Sequence, residues 1–286
     1  MVSVRFRVTL VFDPRKTSFR VAAEYQPLLR MIGLDAEGVF ADPRIVAWRK
    51  LSDRENCTLD ADLGGAWRSP KVRLHVKRYF AARGGPPAED EARGHRALSI
   101  EKIPTAPLVG WGVMADGRSF TLFEDLAGYR PADKLIEAGT PFASLLGPTA
   151  DLAAALHGSG LHHRDLYLCH FMARLWAEGV EESVDLKLID TARVRRLPGF
   201  LTSRRWIVKD LAQFWYSTMK LPVTPDQRLA WLGRYARRRN LPANAAIRLL
   251  RSIERKARSI ARHDRSLNLA QPNRNVSIPV EGAELP

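Results

Sequence analysis

Residues 161–171 form a polar segment between two apolar stretches of the chain. Before the segment, residues 142–160 place apolar side chains on one face, which predicts a helix that a glycine ends. After it, a strand-like run finishes at Asp190. A fold for this chain must therefore hold a short loop rich in histidine, arginine and aspartate between an apolar helix and a strand.

Within the segment, His163, Arg164 and Asp165 match the H-R-D of a protein-kinase catalytic loop. A three-residue match is weak alone, but its context is more specific. The apolar helix before it, Asp190 about 25 residues later and Lys77 on an upstream strand all occur in the order found in kinases.

The chain upstream of the segment is rich in predicted strands. A half-buried strand is expected at residues 72–80, because apolar and polar residues alternate there around Lys77. After a Gly-Pro breaker, residues 88–99 predict a helix with acidic residues, Glu91 among them, in its first part. Further strands are predicted at residues 45–51, 56–62, 108–114 and 119–124.

This order predicts an α+β, bilobal, protein-kinase-like fold with a small β-rich N-lobe and a helical C-lobe. The predicted divisions are an N-terminal extension with a short helix (1–44), the N-lobe (45–125), the C-lobe (126–268) and an irregular tail (269–286). Cys57 and Cys169 lie far apart in sequence, which favours reduced thiols over a disulfide or a zinc site.

A net charge of +14 indicates a polyanionic partner: nucleic acid, an anionic membrane surface or a phosphorylated glycolipid. Charge alone does not choose among them, and a merely solvated basic face explains it about equally well. Without a signal peptide or an apolar run long enough to span a membrane, the sequence predicts a cytoplasmic protein.

Phosphoryl transfer needs a group that orients the attacking hydroxyl, a magnesium ligand and a cation for the phosphates that stay behind. Asp165, Asp190 and Lys77 are the candidates for these three roles. Glu91 is the candidate that pairs with Lys77, although Glu89 and Asp90 leave its register open. ATP and Mg2+ are the cofactors that this chemistry requires.

The string from His163 to Phe171 resembles the H-R-D-x-Y-x-C-H-F signature of the lipopolysaccharide core heptose kinase family. The resemblance continues through Leu188-Ile189-Asp190-Thr191-Ala192-Arg193, Arg204-Arg205-Trp206 and Lys209-Asp210-Leu211, and covers roughly residues 45–220. It implies an ATP-dependent kinase that phosphorylates a sugar hydroxyl of the lipopolysaccharide inner core.

By that resemblance, Asp210 holds the catalytic-loop backbone and, with His163 and Arg164, supports the loop. The alternative for Asp210 is a simple N-cap of a helix over residues 211–219. The hinge is expected to pass through Glu124 and Leu126, whose backbone groups would meet the adenine.

Two departures from the general kinase pattern stand out. A Gly-rich phosphate loop is missing from the first hairpin. His170 replaces the usual asparagine five residues after Asp165, and magnesium prefers oxygen ligands, so His170 is not expected to bind a second metal as asparagine would. The family signature carries the same histidine, which keeps His170 among the expected cofactor-site residues.

Several alternatives stay open at this point. A protein hydroxyl could be the acceptor, because fold does not fix substrate. A non-enzymatic nucleic-acid-binding protein would explain the charge but not the ordered Lys77, Glu91, Asp165 and Asp190. The favoured partners are lipopolysaccharide core or another anionic glycolipid and, peripherally, the inner face of the cytoplasmic membrane, with no specific nucleic acid.

Overall fold

The protein, seen here as a computed structural model, is described over residues 17–80, 85–178 and 181–272. These residues form two compact units. The N-terminal unit takes the described residues up to Ala92 together with Pro107–Asp125, and the C-terminal unit takes Arg93–Ala106 and the chain from Leu126 onward.

The N-terminal unit is built on a six-stranded antiparallel sheet with the order β1-β5-β6-β4-β3-β2. Its strands, numbered in chain order, are β1 (Ser18–Val21), β2 (Ile45–Lys50), β3 (Arg54–Asp62), β4 (Lys71–Tyr79), β5 (Leu108–Val113) and β6 (Ser119–Glu124). The strands predicted at 45–51, 56–62, 72–80, 108–114 and 119–124 are therefore present, with ends shifted by at most two residues.

Alternation along β4 fixes which side chains enter the core. Leu74 and Val76 are buried with Leu59 of β3 and Leu122 of β6. Because successive strand residues point to opposite faces, Lys77 lies on the face away from these apolar residues, where Thr121 is its neighbour on β6.

The described part of the expected N-terminal extension, residues 17–44, is integral to this unit. β1 pairs with β5, and the helices α1 (Gln26–Ile32) and α2 (Gly38–Ala41) bury Leu28 and Val39 in the same core. Alternation over four residues is too short to predict β1, which explains why the sequence divided the chain at residue 44.

The C-terminal unit is mainly helical. Its helices are α4 (Ala132–Glu137), α5 (Phe142–Gly158), α6 (Phe200–Thr218), α7 (Pro225–Arg238) and α8 (Ala243–Ala270), and α3 (Pro87–Ile100) passes from the first unit into it after Ala92. It also holds the short strands β7 (Arg130–Pro131), β8 (Leu161–His162) and β11 (Arg195–Arg196), and the hairpin β9 (Phe171–Glu178) and β10 (Glu181–Leu188).

The core of this unit is centred on a stack of rings. Phe214 of α6 lies 4.1 Å from Trp231 of α7, centroid to centroid, and the Trp231 indole N–H donates to Thr149 of α5. A buried indole needs such an acceptor, and the bond fixes α5 against α7 at this point. None of the helices in the described ranges combines the length and apolar character required to span a membrane.

One sequence expectation is wrong in this unit. Helix α6 begins at Phe200, so Asp210 lies in the middle of the helix and cannot be the N-cap of a helix over residues 211–219. Gly199 occupies the N-cap position instead. The polar run 202–205 hid the helical periodicity of the first half, because the apolar face of the helix is interrupted there.

A glycine brings α3 into contact with the backbone next to Asp190. A Cβ atom added to Gly94 would lie 1.8 Å from the carbonyl oxygen of Thr191 and 2.8 Å from its carbonyl carbon. Both neighbours are backbone atoms and cannot rotate away, so only glycine fits at this position of the helix.

We predict that Gly94→Ala lowers the free energy of unfolding by about 2 kcal/mol or more, because this overlap outweighs the roughly 1 kcal/mol that alanine gains in a helix. Gly233→Ala in α7 is the matched control, since its new Cβ would have as nearest neighbour the tip of Arg237, 3.6 Å away. Urea unfolding should show Gly233→Ala to be neutral or stabilising. Equal effects of the two substitutions would contradict the tight contact at Gly94.

Candidate active site

In the N-terminal unit, Lys77 and Glu91 form the ion pair that the sequence predicted. The Lys77 ammonium lies 2.5 Å from Glu91 Oε1. Tyr79 and Thr121 both donate hydroxyl hydrogen bonds to Glu91 Oε2, so both carboxylate oxygens have donors. Glu91 is fully buried whereas the Lys77 side chain is one-quarter exposed. Glu91, and not Glu89 or Asp90, is therefore the partner, and it fixes the ammonium group at an accessible position.

Within the C-terminal unit, the carboxylate of Asp210 binds the backbone of the H-R-D segment. Its Oδ2 accepts from the His163 amide at 2.6 Å, and its Oδ1 accepts from the Arg164 amide at 2.8 Å. His157 lies 3.3 Å from Oδ2 and 2.8 Å from the Tyr235 hydroxyl. Burial alone raises the pKa of Asp210, but the bonds from His157 and from the His163 amide lower it below its usual value.

The same face of α6 presents two further groups to this loop. Gln213 accepts from the Leu166 amide at 3.1 Å, and Ser217 accepts from the Leu168 amide at 3.0 Å. Asp210, Gln213 and Ser217 are spaced at i, i+3 and i+7, so they lie along one side of the helix. Gln213 was missed by the sequence analysis, although polar residues at that spacing in an otherwise apolar half-helix are the signal that identifies it.

The side chain of Asp165 is held from two directions. Arg193 places one guanidinium nitrogen 3.0 and 2.9 Å from its two oxygens, and the Gln213 amide donates to Oδ1 at 3.3 Å. The carboxylate is about one-fifth exposed, so it is oriented but reachable. Arg193 was part of the matched family string, but the sequence assigned it no role.

The structure brings His170 between the two aspartates of the C-terminal unit. Its Nδ1 lies 2.7 Å from the Asp165 carbonyl oxygen, and its Nε2 lies 3.7 Å from Asp190 Oδ2. Burial alone lowers the pKa of His170, but Cys169 and Asp190 raise it to about 9. A positively charged imidazole does not ligate a metal. That His170 does not replace asparagine as a metal ligand stays a prediction.

Two residues of the candidate site have backbone conformations that are rare for residues with a Cβ atom. Arg164 has φ 71° and Asp190 has φ 61°, both in the left-handed region. Such conformations cost about 1–3 kcal/mol each and persist where surrounding contacts enforce them. For Arg164 the enforcing contact is the bond from its amide to Asp210. Next to Asp190, the Ile189 carbonyl is held by the His163 ring at 3.1 Å.

At the predicted hinge, the backbone of Glu124 is partly used within its own unit. The Glu124 amide donates to the Pro107 carbonyl at 3.0 Å, the Asp125 amide donates to Arg73 at 3.1 Å, and the Glu124 side chain accepts from Tyr25. Any contact of Glu124 with a base must then use its carbonyl oxygen. The Leu126 carbonyl accepts from Tyr129 at 2.9 Å, which leaves the amide of Leu126 as its candidate donor.

His162 precedes the H-R-D segment and is buried against Trp206, with ring centroids 4.9 Å apart. Its Nδ1 has no hydrogen-bond partner in the described part of the chain. Burial lowers the pKa of His162 to about 4, with Arg164 contributing and Asp210 opposing. The folded protein therefore holds this ring neutral.

We predict that this neutral ring makes the protein less stable as the pH falls from 7 to 5. The unfolded chain binds a proton at its ordinary pKa near 6.5 and the folded chain does not, so unfolding takes up a proton across that window and costs about 2 kcal/mol of stability. His162→Gln should shrink the stability difference between pH 7 and pH 5 by about that amount. His263→Gln, at an exposed histidine of α8, should keep the wild-type difference, and an unchanged difference in both variants would refute the assignment.

Three comparisons with known proteins relate this geometry to named relatives. A family model for the lipopolysaccharide kinase (Kdo/WaaP) family matches residues 64–235. Lipopolysaccharide core heptose(I) kinase WaaP of Pseudomonas aeruginosa is 29% identical over 195 residues, which are 66% of this chain and 65% of the relative. A protein of the same name from Escherichia coli is 36% identical over 90 residues, 30% of this chain and 31% of the relative.

The alignments thus span somewhat less than two thirds of the Pseudomonas protein and about a third of the Escherichia protein. A solved structure described as WaaP in complex with acyl carrier protein superimposes with a TM-score of 0.64, over 85% of this chain and 98% of that one, at 24% identity. This match confirms the predicted fold class. The family model covers more than half of the chain, so the chain belongs to the lipopolysaccharide kinase (Kdo/WaaP) family.

Proposed function

We propose that this protein transfers the γ-phosphate of ATP to a sugar hydroxyl of the lipopolysaccharide inner core, with a heptose-like acceptor. The observation that carries the proposal is the support of Asp165: its backbone neighbours are bound by α6 and its carboxylate is oriented by Arg193 and Gln213. Membership in the family and the names of the two relatives support the choice of acceptor.

Asp165 is assigned the role of general base or orienting group for the acceptor hydroxyl. A carboxylate that accepts the hydroxyl hydrogen aligns the oxygen for in-line attack on the phosphorus and takes its proton as the bond forms. Arg193 and Gln213 would act as positioning residues, since they hold the carboxylate in one orientation. Asp210, with His163 and Arg164, supports the loop from behind.

Asp190 is assigned to Mg2+. The described residues contain no group of three or more His, Cys, Asp or Glu side chains able to hold a metal by themselves. That agrees with Mg2+ chemistry, because this ion usually binds through one or two carboxylates together with phosphate oxygens and water. Asp190, whose carboxylate is 43% exposed, fits such a site, and the bound ion would neutralise phosphate charge.

Lys77 is assigned to the phosphates that remain on the nucleotide, with Glu91 fixing its position. Glu124 and Leu126 stay predictions as backbone contacts to the adenine. His170 would tie the catalytic loop to the segment of Asp190 rather than coordinate the metal. We also propose that the protein works at the inner surface of the cytoplasmic membrane, since each nearby Lys or Arg adds about 1 kcal/mol of attraction to anionic lipids.

We predict that label passes from γ-labelled Mg-ATP to core glycolipid that lacks phosphate on the acceptor heptose. Asp165→Asn should lower kcat by about 10²–10⁴-fold, because the attacking hydroxyl loses its base. Asp226→Asn, an exposed first-turn aspartate of α7, is the matched control and should behave as wild type. Label on protein rather than glycolipid would show a different acceptor, and no transfer with either would refute the kinase assignment.

We predict further that Lys77→Met raises the KM for ATP about tenfold or more and also lowers the Tm. The loss of Tm follows because the substitution leaves the buried Glu91 carboxylate without its cation, and breaking a buried pair typically costs about 3–5 kcal/mol. Lys71→Met removes the same charge from an exposed position of the same strand and should change neither quantity. A fall in Tm with an unaltered KM for ATP would limit Lys77 to a structural role.

A further inference from the structure

A cationic pocket of about 600 Å³ lies in the C-terminal unit, beside the H-R-D segment. Its volume is in the range that holds a small-molecule group. The walls come from the loop at Arg164, from the first half of α6 and from α8. Five cationic side chains line the pocket: Arg164, Arg204, Arg205, Lys209 and Lys256.

The residues that line the cationic pocket carry no negative charge. None of its lining residues is acidic, and none of the five cations forms an ion pair with a carboxylate in the described part of the chain. Arg234 and Arg238 of α7, by contrast, share Asp151 at 2.7 and 2.8 Å. An uncompensated cluster of this kind destabilises the empty protein through mutual repulsion.

Two of the cations have lowered pKa values, with burial as the largest cause. Arg193 and Arg195 lower the pKa of Arg164 further, and Arg193 and Arg164 lower that of Lys209 further. Asp165 and Asp210, which lie outside the lining of the pocket, oppose both shifts. An anion in the pocket would reverse the contribution that the neighbouring positive charges make.

The pocket is also shaped by Trp206. Its indole is half-buried, and the guanidinium carbon of Arg164 lies 4.7 Å from a ring centroid, with Arg205 at 5.5 Å and the Lys209 ammonium at 5.7 Å. Three cationic side chains thus lie close to one aromatic ring. Cation–π contacts with the ring supply part of the attraction that a paired carboxylate would otherwise provide. They also fix the cationic side chains while the hydrogen-bond donors of these side chains stay unused by any carboxylate of the lining.

We propose that the cationic pocket binds an oxyanion of the acceptor, a phosphate or a carboxylate group at some distance from the hydroxyl that is phosphorylated. Guanidinium groups match the planar, forked geometry of such anions, and the Lys256 ammonium adds donors from α8. Arg164 adjoins Asp165 in the chain, so an anion held here would set which sugar hydroxyl reaches the carboxylate. The inference rests on the proposed function for the identity of the acceptor, but not for the presence of the site.

The binding test needs no kinase activity. Calorimetric titration of the full-length protein with inorganic pyrophosphate at low salt should give saturable binding, and Lys256→Gln and Arg205→Gln should each weaken it about tenfold or more. Arg255→Gln is the matched control: it removes the same charge from an exposed position of the same helix outside the pocket, and it should change the affinity less than twofold.

A second measurement, of the Tm, distinguishes an anion-binding site from a cluster of cations that has only a structural role. Because the empty pocket is repulsive, Lys256→Gln and Arg205→Gln should leave the Tm of the ligand-free protein unchanged or raise it, while they reduce the rise in Tm caused by pyrophosphate. Absent pyrophosphate binding, or equal weakening by Arg255→Gln, would overturn the proposal. Displacement of pyrophosphate by Mg-ATP would also overturn it, because the pocket would then belong to the nucleotide.

The kinetic test identifies the anion. Core glycolipid that retains its phosphates, the same glycolipid after their removal, and a carboxyl-reduced form are compared as acceptors. For the wild-type protein, removing the anionic group that the pocket binds should raise the KM for the acceptor about tenfold. The Arg205→Gln/Lys256→Gln double variant should have the same KM for the acceptor with this group and the acceptor without it. Equal discrimination by wild type and double variant would refute acceptor binding here. Complete absence of transfer would refute the proposed function, and the pyrophosphate titration would still decide on the pocket.

Discussion

The bond between the Asp210 carboxylate and two consecutive loop amides is the interaction on which the candidate site depends. His163 and Arg164 donate from the loop, and the carboxylate belongs to the buried middle of α6. A charged group in that position is costly to desolvate, and the cost is offset only by charge-assisted bonds in good geometry. Those bonds in turn hold Arg164 in its left-handed conformation, and Asp165 is the next residue.

Polar side chains of helix α6 set the position of the loop. Asp210, Gln213 and Ser217 bind the amides of residues 163, 164, 166 and 168, so the loop is aligned along the helix by its own donors. Phe214, one turn after Asp210 on the adjoining part of the same side of the helix, stacks on Trp231, and this contact fixes the rotation of α6. Apolar packing therefore sets the rotation of α6, and the polar side chains of α6 then set the position of Asp165.

Much of this could be predicted from the sequence because the signals were local. Alternation located the strands around Lys77, and one continuous string carried the H-R-D segment and its surroundings. Gln213 and Arg193 were not identified, because each acts on Asp165 from a position 28 or 48 residues away and has no motif of its own. The cationic pocket was not predicted for the same reason, because α6 and α8 are distant in sequence and no motif connects their cationic residues.

The chain of contacts behind the loop ends at the Tyr235 hydroxyl, which reaches Asp210 through the buried ring of His157. Amides in loops usually exchange their hydrogens with solvent quickly, because local openings expose them at little cost. The amides of His163 and Arg164 can open only when this buried relay between α5, α6 and α7 comes apart. In hydrogen exchange, this irregular segment should therefore behave as the interior of a helix does, with protection that reports the unfolding of the whole helical unit.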